Sequence, residues 1–266
     1  MDLRLLETEV IDLCREAGKA LAEASGKIAA GQMELKAFNH IVTDSDKATE
    51  TFLVNGLSDL LPGSGFLTEE ETKDVLDREY TWIIDPIDGT TNFYYGLPVF
   101  SISIALQQNG ETILGVVFDP NRGEAFSALK GSGARLNGRP IQCRKTNNLQ
   151  EALLATGFPY FDFEYLDEYI DCLKYLLSHS RGMRRMGSAA IDLAYVAAGR
   201  FDAFFEYALS PWDVAAGALL VEEAGGVVTD FAGGNDYLRG KQIVAGGKLV
   251  QEELLKVIRD FLPSGK

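Results

Sequence analysis

Three successive runs lie between Val99 and Gly131: VFSISIALQQ, which alternates apolar and polar residues, then ETILGVVFDP and GEAFSALKG, parted by Asn109-Gly110 and by Asn121-Arg122. Period-two patterning and tight-turn residues between the runs read as an antiparallel meander, a sheet whose apolar side chains need cover. The rest of the chain must supply that cover. The spacing of Leu6, Val10, Leu13, Ala17, Ala20, Leu21 and Ala24 predicts an amphipathic helix over residues 3–25 that stops near Gly26. A second helix is expected over 45–61, opened by the polar cluster TDSD with Asp44 as its cap and ended by Pro62-Gly63. Between them, FNHIVT reads as a short extended segment, and residues 130–140, rich in glycine and basic side chains, as a loop.

Beyond the meander an aromatic stretch, GFPYFDFEYLDEY, precedes a helix near 165–178. The last third alternates: GSAAIDLAYVAAG as a helix of small residues, RFDAFFEYAL as a strand, PWDVAAGALLVEEAGG as a helix with proline near its start and Gly-Gly after its end, GVVTDF and KQIVAGG as strands, LVQEELLKVIRDFL as a closing helix. Strands and helices in mixed order predict an α+β or layered α/β protein. Residues 1–145 and 146–266 are read as two regions of one compact catalytic unit, with no internal repeat and no low-complexity linker.

Charge narrows the function. Of 266 residues, 25 are basic and 39 acidic, a net charge of −14, which argues against binding nucleic acid or an anionic membrane. It leaves room for anionic small substrates, because a bound cation inverts the local sign. No apolar run approaches the ~20 residues a membrane helix needs, and MDLRLLETEV is acidic where a signal peptide is basic, so a cytoplasmic protein is expected. Cys14, Cys143 and Cys172 are odd in number, scattered, and read as reduced thiols. Only His40 and His179 are present, at no metal-ligand spacing, and nucleophile-elbow, P-loop and dinucleotide-binding motifs are absent.

Carboxylates remain. In WIIDPIDGTTNF, residues 82–93, an apolar strand is expected to break at Asp85-Pro86-Ile87-Asp88, with Pro86 holding the turn rigid. Asp85, Asp88 and the Ile87 carbonyl can converge outside the strand end, and hard oxygen donors of this kind suit Mg2+. Gly89, Thr90 and Thr91 then open a helix or turn whose free amides can hold a phosphate. Read alone, D-P-x-D is equally an Asp-Gly turn.

DPIDGTTNF followed by WDVAAGALLVEEAGG resembles the two signatures of the inositol monophosphatase family of Mg2+-dependent, lithium-sensitive phosphatases, over nearly the whole chain. The resemblance implies a layered αβαβα fold, commonly a homodimer. It departs from the family at one point: the family's G-E-E reads Thr68-Glu69-Glu70 here.

Carried over by that resemblance, Glu69, Asp85 and the Ile87 carbonyl would hold one Mg2+, and Asp85, Asp88 and Asp213 another, within a site of two to three ions. Thr90, bonded to Asp46, would help activate the attacking water, and Lys36 would stand on the phosphate side. Gly89 and Thr90 would bind phosphate. Gly187, Ser188, Ala189 and Glu206, with Asp88 and Asp213, would face the alcohol. Without the resemblance, TEEE is a solvated acidic turn, Asp213 a helix cap, Lys36 a surface lysine, and Glu206 the outward residue of an edge strand. The reaction implied is hydrolysis of myo-inositol 1-phosphate or a similar polyol phosphate. Alternatives are histidinol-phosphate, fructose-1,6-bisphosphate or 3′-phosphoadenosine-5′-phosphate as substrate, or a regulatory binding protein on the same fold.

Overall fold

The computed structural model describes residues 1–27, 33–37, 40–71, 78–159 and 163–262. The chain opens with α1 (Leu3–Ala24), capped by Asp2, whose carboxylate accepts from the amides of Arg4 and Leu5. β1 (Met33–Ala37) and β2 (His40–Thr43) form an antiparallel ribbon that leads into α2 (Asp44–Leu60). There follow β3 (Gly65–Thr68), β4 (Tyr80–Asp88), α3 (Thr90–Tyr95), β5 (Ser101–Gln108), β6 (Glu111–Asp119), β7 (Glu124–Leu129), β8 (Ala134–Leu136) and β9 (Arg139–Pro140). These strands make one sheet in chain order, with β3 parallel to β4 and every later pair antiparallel. The second half contributes β10 (Leu153–Thr156), α4 (Leu166–His179), β11 (Gly182–Arg184), α5 (Ala189–Ala197), β12 (Ala203–Tyr207), α6 (Pro211–Glu223), β13 (Val227–Thr229), β14 (Gln242–Gly246) and α7 (Lys248–Phe261). Its sheet has the order β11-β10-β12-β14-β13.

Strand alternation sorts the side chains into three cores. Trp82, Ile84, Ile102, Ile104, Leu114 and Val116 face α1 and α2, meeting Val10, Cys14, Leu53 and Leu57. Ile83, Val117, Phe126 and Ala128 point the other way, onto α5 and α6, and the far side of that helix pair packs against Phe204, Ile243 and Ala245 of the second sheet. Ala203, Phe205 and Val244 face outward again, under Tyr169, Cys172 and Leu176 of α4 and Val250, Leu254 and Ile258 of α7. The result is a layered αβαβα sandwich. Sheets on both sides explain why α5, apart from Asp192, and the middle of α6 are apolar all round rather than striped. A Cβ on Gly115 would lie 2.9 Å from the Ala216 carbonyl oxygen, so the missing side chain lets α6 lie directly on β6.

The meander and the long helices stand where the sequence patterns put them, and four local readings are corrected. Residues 130–140 are not all loop: β8 and β9 pair across Asn137-Gly138, whose φ values of 48° and 77° suit a two-residue hairpin turn. β4 does not break before Asp85 but runs to Asp88. The cap of α2 is Thr43, with Asp44 inside the helix. β12, which carries Glu206, is flanked by β10 and β14 and is not an edge strand. Two short parallel partners, β10 and β11, carry no alternation that the sequence reading could use. Cys14, Cys143 and Cys172 are free thiols, and no helix among the described residues is long and apolar enough to cross a membrane.

Candidate active site

The site begins at the shared C-terminal ends of two parallel strands. Register pairs Thr68 with Ile84, and the Glu69 amide donates to the Ile84 carbonyl at 3.3 Å, which sets Glu69 beside Asp85. The Glu70 amide donates to Glu50 Oε2 at 2.8 Å, tying this loop to α2. Along β4, Asp85 pairs with Ser103 and Asp88 with Ser101, three steps against two: a bulge. Pro86, with no amide proton to give, occupies the irregular stretch, and the Ile87 amide donates to Asp85 Oδ1 at 2.9 Å. The bulge turns Asp85 and Asp88 toward one point. Asp213 arrives there from the first turn of α6, and each of the three aspartates offers an oxygen within 4.8 Å of the others.

Gly89 closes the strand at φ +100°, a conformation side chains disfavour, and a Cβ there would lie 2.9 Å from the Gly187 carbonyl oxygen. The loop at Gly187 therefore sits directly over the turn into α3. Ser188, the cap of α5, donates from Oγ to Asp88 Oδ2 at 2.6 Å, and the Ala190 amide donates to the same oxygen at 2.7 Å. Its side chain thus orients a carboxylate of the cluster, which the sequence reading had not foreseen.

Asp46 and Asp213 are held by one device. Each is the third residue of its helix in a capping box. Thr43 donates from its amide and hydroxyl to Asp46 Oδ2 at 2.8 and 2.6 Å; the Ser210 amide donates to Asp213 Oδ2 at 2.7 Å. Asp46 Oδ1 is left to face Thr90, whose Oγ1 stands 3.1 Å from it and 3.0 Å from the Ile87 carbonyl. A carbonyl oxygen has two lone pairs, so accepting from Thr90 leaves Ile87 a second one. Lys36 lies on β1, and its side chain is outside the described residues.

Glu69, Asp85, Ile87, Asp88, Gly89, Thr90, Asp213, Gly187, Ser188, Ala189 and Glu206 all line one cavity of about 140 Å3. Gly157 opposite makes room for Glu206: a Cβ there would lie 2.0 Å from its carboxylate. Negative charge dominates the electrostatics, with Arg185 the cation in the cavity wall. Burial, then the charges of Glu69, Asp88 and Asp213, hold Asp85 well above the usual carboxylate range; burial, then Asp88 and Glu69, does the same to Asp213. Burial pushes Asp88 up to about 6 against the hydrogen bonds from Ser188 and Ala190, and Asp46 up to about 7 against those from Thr43. Glu206 is pushed up to about 8 by burial and then by Asp88, with Arg185 acting the other way. Three convergent carboxylates that repel one another, all hard oxygen donors, fit a divalent cation that would remove the repulsion.

The sequence reading missed Asp192 and Arg185, both in the cavity wall. Asp192 is 1% exposed, its Oδ1 has no hydrogen-bond partner, and burial followed by the charge of Glu206 raises its pKa well above the usual value. A lone aspartate in the otherwise apolar AAIDLAYVAA was the available signal.

Comparison with known proteins agrees with this fold. The model of the inositol monophosphatase family matches residues 2–262. Nus factor SuhB of Escherichia coli K12 is 44% identical over 249 residues, covering 93% of each chain. An inositol-1-monophosphatase of Mesorhizobium japonicum is 38% identical over 251 residues, 94% of each. The crystal structure of the extragenic suppressor protein suhB of Bartonella henselae superposes with a TM-score of 0.92 at 39% identity, over 96% of this chain and 98% of that one.

Proposed function

The chain belongs to the inositol monophosphatase family, and we propose that it is a Mg2+-dependent phosphomonoesterase that hydrolyses myo-inositol 1-phosphate or a similar polyol phosphate. The observation that carries this reading is the convergence of Asp85, Asp88 and Asp213 within 4.8 Å beside the Thr90–Asp46 contact. Asp85, Asp88 and Asp213, with Glu69 and the Ile87 carbonyl, would hold two to three Mg2+. When bound, these ions supply charge neutralisation for the phosphate oxygens and a lowered pKa for the attacking water.

The chain's own groups do the rest. Gly89 and Thr90 hold the phosphate. Thr90 Oγ1 orients the water in line with the scissile bond, and Asp46 orients Thr90. With its pKa near 7, Asp46 is suited to share the proton that the hydroxyl passes on. Lys36 is assigned to the phosphate side on the resemblance alone. Glu206, with the backbone of Gly187, Ser188 and Ala189, accepts hydrogen bonds from the alcohol's hydroxyls. A substrate lacking those hydroxyls leaves a buried carboxylate unpaired and is selected against.

The experiment is a phosphate-release panel with and without Mg2+, covering myo-inositol 1-phosphate, glycerol phosphate, histidinol phosphate, fructose 1,6-bisphosphate and 3′-phosphoadenosine 5′-phosphate. Release from inositol phosphate only with Mg2+ is the expected result; no Mg2+-dependent release from any of the five overturns the reading. A second, regulatory role in the cytoplasm is favoured by the relatives named Nus factor SuhB, and is tested by whether a catalytically dead Asp85→Asn chain restores the phenotype of a deletion strain. Exposed apolar side chains at Phe163, Leu166 and Ile170 support assembly as a homodimer, to be measured by sedimentation equilibrium.

A further inference from the structure

Away from the carboxylate cavity lies a larger cleft, of about 660 Å3, that shares no lining residue with it. One wall is the end of the β8–β9 hairpin and the extended segment 141–147 that joins the two sheets; the other is formed by the C-terminal end of α6 and the first turn of α7. Its charge is opposite to that of the molecule. Arg135, Arg144, Lys145 and Lys248 line it in a chain whose net charge is −14. Among the described residues none of the four makes an ion pair or a side-chain hydrogen bond, whereas Lys47, Arg122, Lys130, Lys174 and Arg200 each have a carboxylate.

The acidic residue in the cleft wall is Glu223, and it is already engaged: its carboxylate accepts from the amides of Gly131, Ser132 and Gly133 at 2.7, 2.9 and 2.7 Å. The helix that opens into the cleft adds to the same sign. α7 runs for 14 residues from Gly247, with no side chain capping it and no acidic residue in its first turn. Four like charges around a concavity repel one another, and a protein with 39 acidic residues to draw on has placed no carboxylate among them that is free to answer. The cleft is not uniformly polar, because Pro140, Ile141 and the exposed Leu249 form an apolar stretch of wall.

We propose that this cleft is a second binding site, for a small ligand carrying several phosphate charges on a flat or apolar body, of the nucleoside triphosphate type. The volume is that of a small-molecule site. Four cations match the charge of a triphosphate, and the apolar wall gives the rest of the ligand somewhere to lie. The site is also placed to be felt at the other. Asp213 stands in the first turn of α6 and Glu223 at its last residue, ten residues or roughly 15 Å along one buried helix.

The test is calorimetric titration of the whole protein with ATP in the absence of divalent cations, where the carboxylate cavity repels phosphate and does not compete. AMP, tripolyphosphate and adenosine are the comparison ligands. Saturable binding is expected, with ATP tighter than each of the three. The exposed pair Arg144→Glu/Lys145→Glu, and separately Lys248→Glu on the opposite wall, should each weaken ATP by about tenfold or more. Mg2+-dependent phosphate release at saturating substrate should stay unchanged in both variants, which also certifies that they fold. Absence of ATP binding, binding that survives both charge reversals, tripolyphosphate binding as tightly as ATP, or binding confined to a long polyanion such as polyuridylate would each overturn the proposal. None of these outcomes bears on the phosphatase reading.

Discussion

Glu206→Gln separates the electrostatics of the cavity from its chemistry. The substitution keeps the shape and removes the charge. In the folded protein the Glu206 carboxyl is pushed from 4.5 to about 8, first by burial and then by the charge of Asp88. A raised carboxyl pKa means that the native state holds its proton more tightly than the unfolded chain does. The associated stability is therefore present in full below pH 4.5 and is lost as pH rises toward 8. At ~1.36 kcal/mol per pH unit, the whole interval amounts to at most about 5 kcal/mol. Glutamine has no proton to lose and does not share this decline. Urea unfolding without divalent cations should give wild type and Glu206→Gln within about 1 kcal/mol of one another at pH 5, and the variant ahead by several kcal/mol at pH 9. Kinetics supply the other half. With Mg2+, kcat/KM on inositol phosphate should fall by at least about tenfold, while p-nitrophenyl phosphate, with no hydroxyls to read, changes by less than about threefold. A variant no more stable than wild type at pH 9 would refute the account of Glu206 as a buried, like-charged carboxylate. Equal losses on both substrates would remove it from alcohol recognition.

Asp85→Asn should lower turnover by about a thousandfold or more at saturating Mg2+ while raising the unfolding midpoint of the metal-free protein, because one of the mutually repelling charges is gone; near-normal turnover in a phosphate-release assay would sink the shared-ligand reading. Ala208, in the cavity wall, has φ +62°, so Ala208→Gly should stabilise by about 0.5–1 kcal/mol in the same urea series, and a loss of stability would show that the methyl packs better than the backbone is strained. Li+ should inhibit uncompetitively, deepening as substrate rises, since a monovalent ion accepts the same hard oxygens with half the charge and would hold phosphate in place. Rates over a grid of LiCl and substrate check this, and relief by excess substrate would count against it.

How far the sequence could be read depended on whether the signal was local. The meander is legible because its apolar runs are short, the first alternates, and local turn residues part them. β10 and β11 are not, since GMR pairs with LLAT, and LLAT in turn with β12, each partner dozens of residues away. Asn137-Gly138 is a hairpin signal masked by the glycines and arginines around it, in a stretch with little apolar content. Proline was over-read. Pro86 suggests a broken strand, yet a bulge accommodates a residue without an amide proton, and the strand carries on to Asp88. In the site, Asp85 and Asp88 are legible from one local motif, whereas Asp213 and Glu69 follow only from the family resemblance. Ser188, expected to face the alcohol, also orients Asp88 through its hydroxyl. Asp192 stands out among apolar neighbours and Arg185 does not, and in neither case does the local sequence say that a helix and a loop turn both into one cavity.

The assignment of caps went wrong in an instructive way. The sequence reading divided labour among the aspartates of TDSD, one to cap the helix and one to serve the site. It also treated capping and ligation as rival accounts of Asp213. In the structure the two are compatible, because a capping aspartate keeps one oxygen for the site. Thr43-x-x-Asp46 and Ser210-x-x-Asp213 are the same S/T-x-x-D box, and in each the aspartate spends one oxygen on the amide of the capping residue. A carboxylate fastened at one oxygen loses most of its rotameric freedom, so the other oxygen is aimed before anything binds. Asp46 aims its second oxygen at Thr90, and Asp213 contributes to the cluster with Asp85 and Asp88. Both also sit at helix N-termini, where the macrodipole offsets part of the cost of burying negative charge. Seen this way, a helix start is the cheapest place in this fold to hold a buried carboxylate still, and a capping box beside an acidic strand end is a feature to read for function as well as for stability.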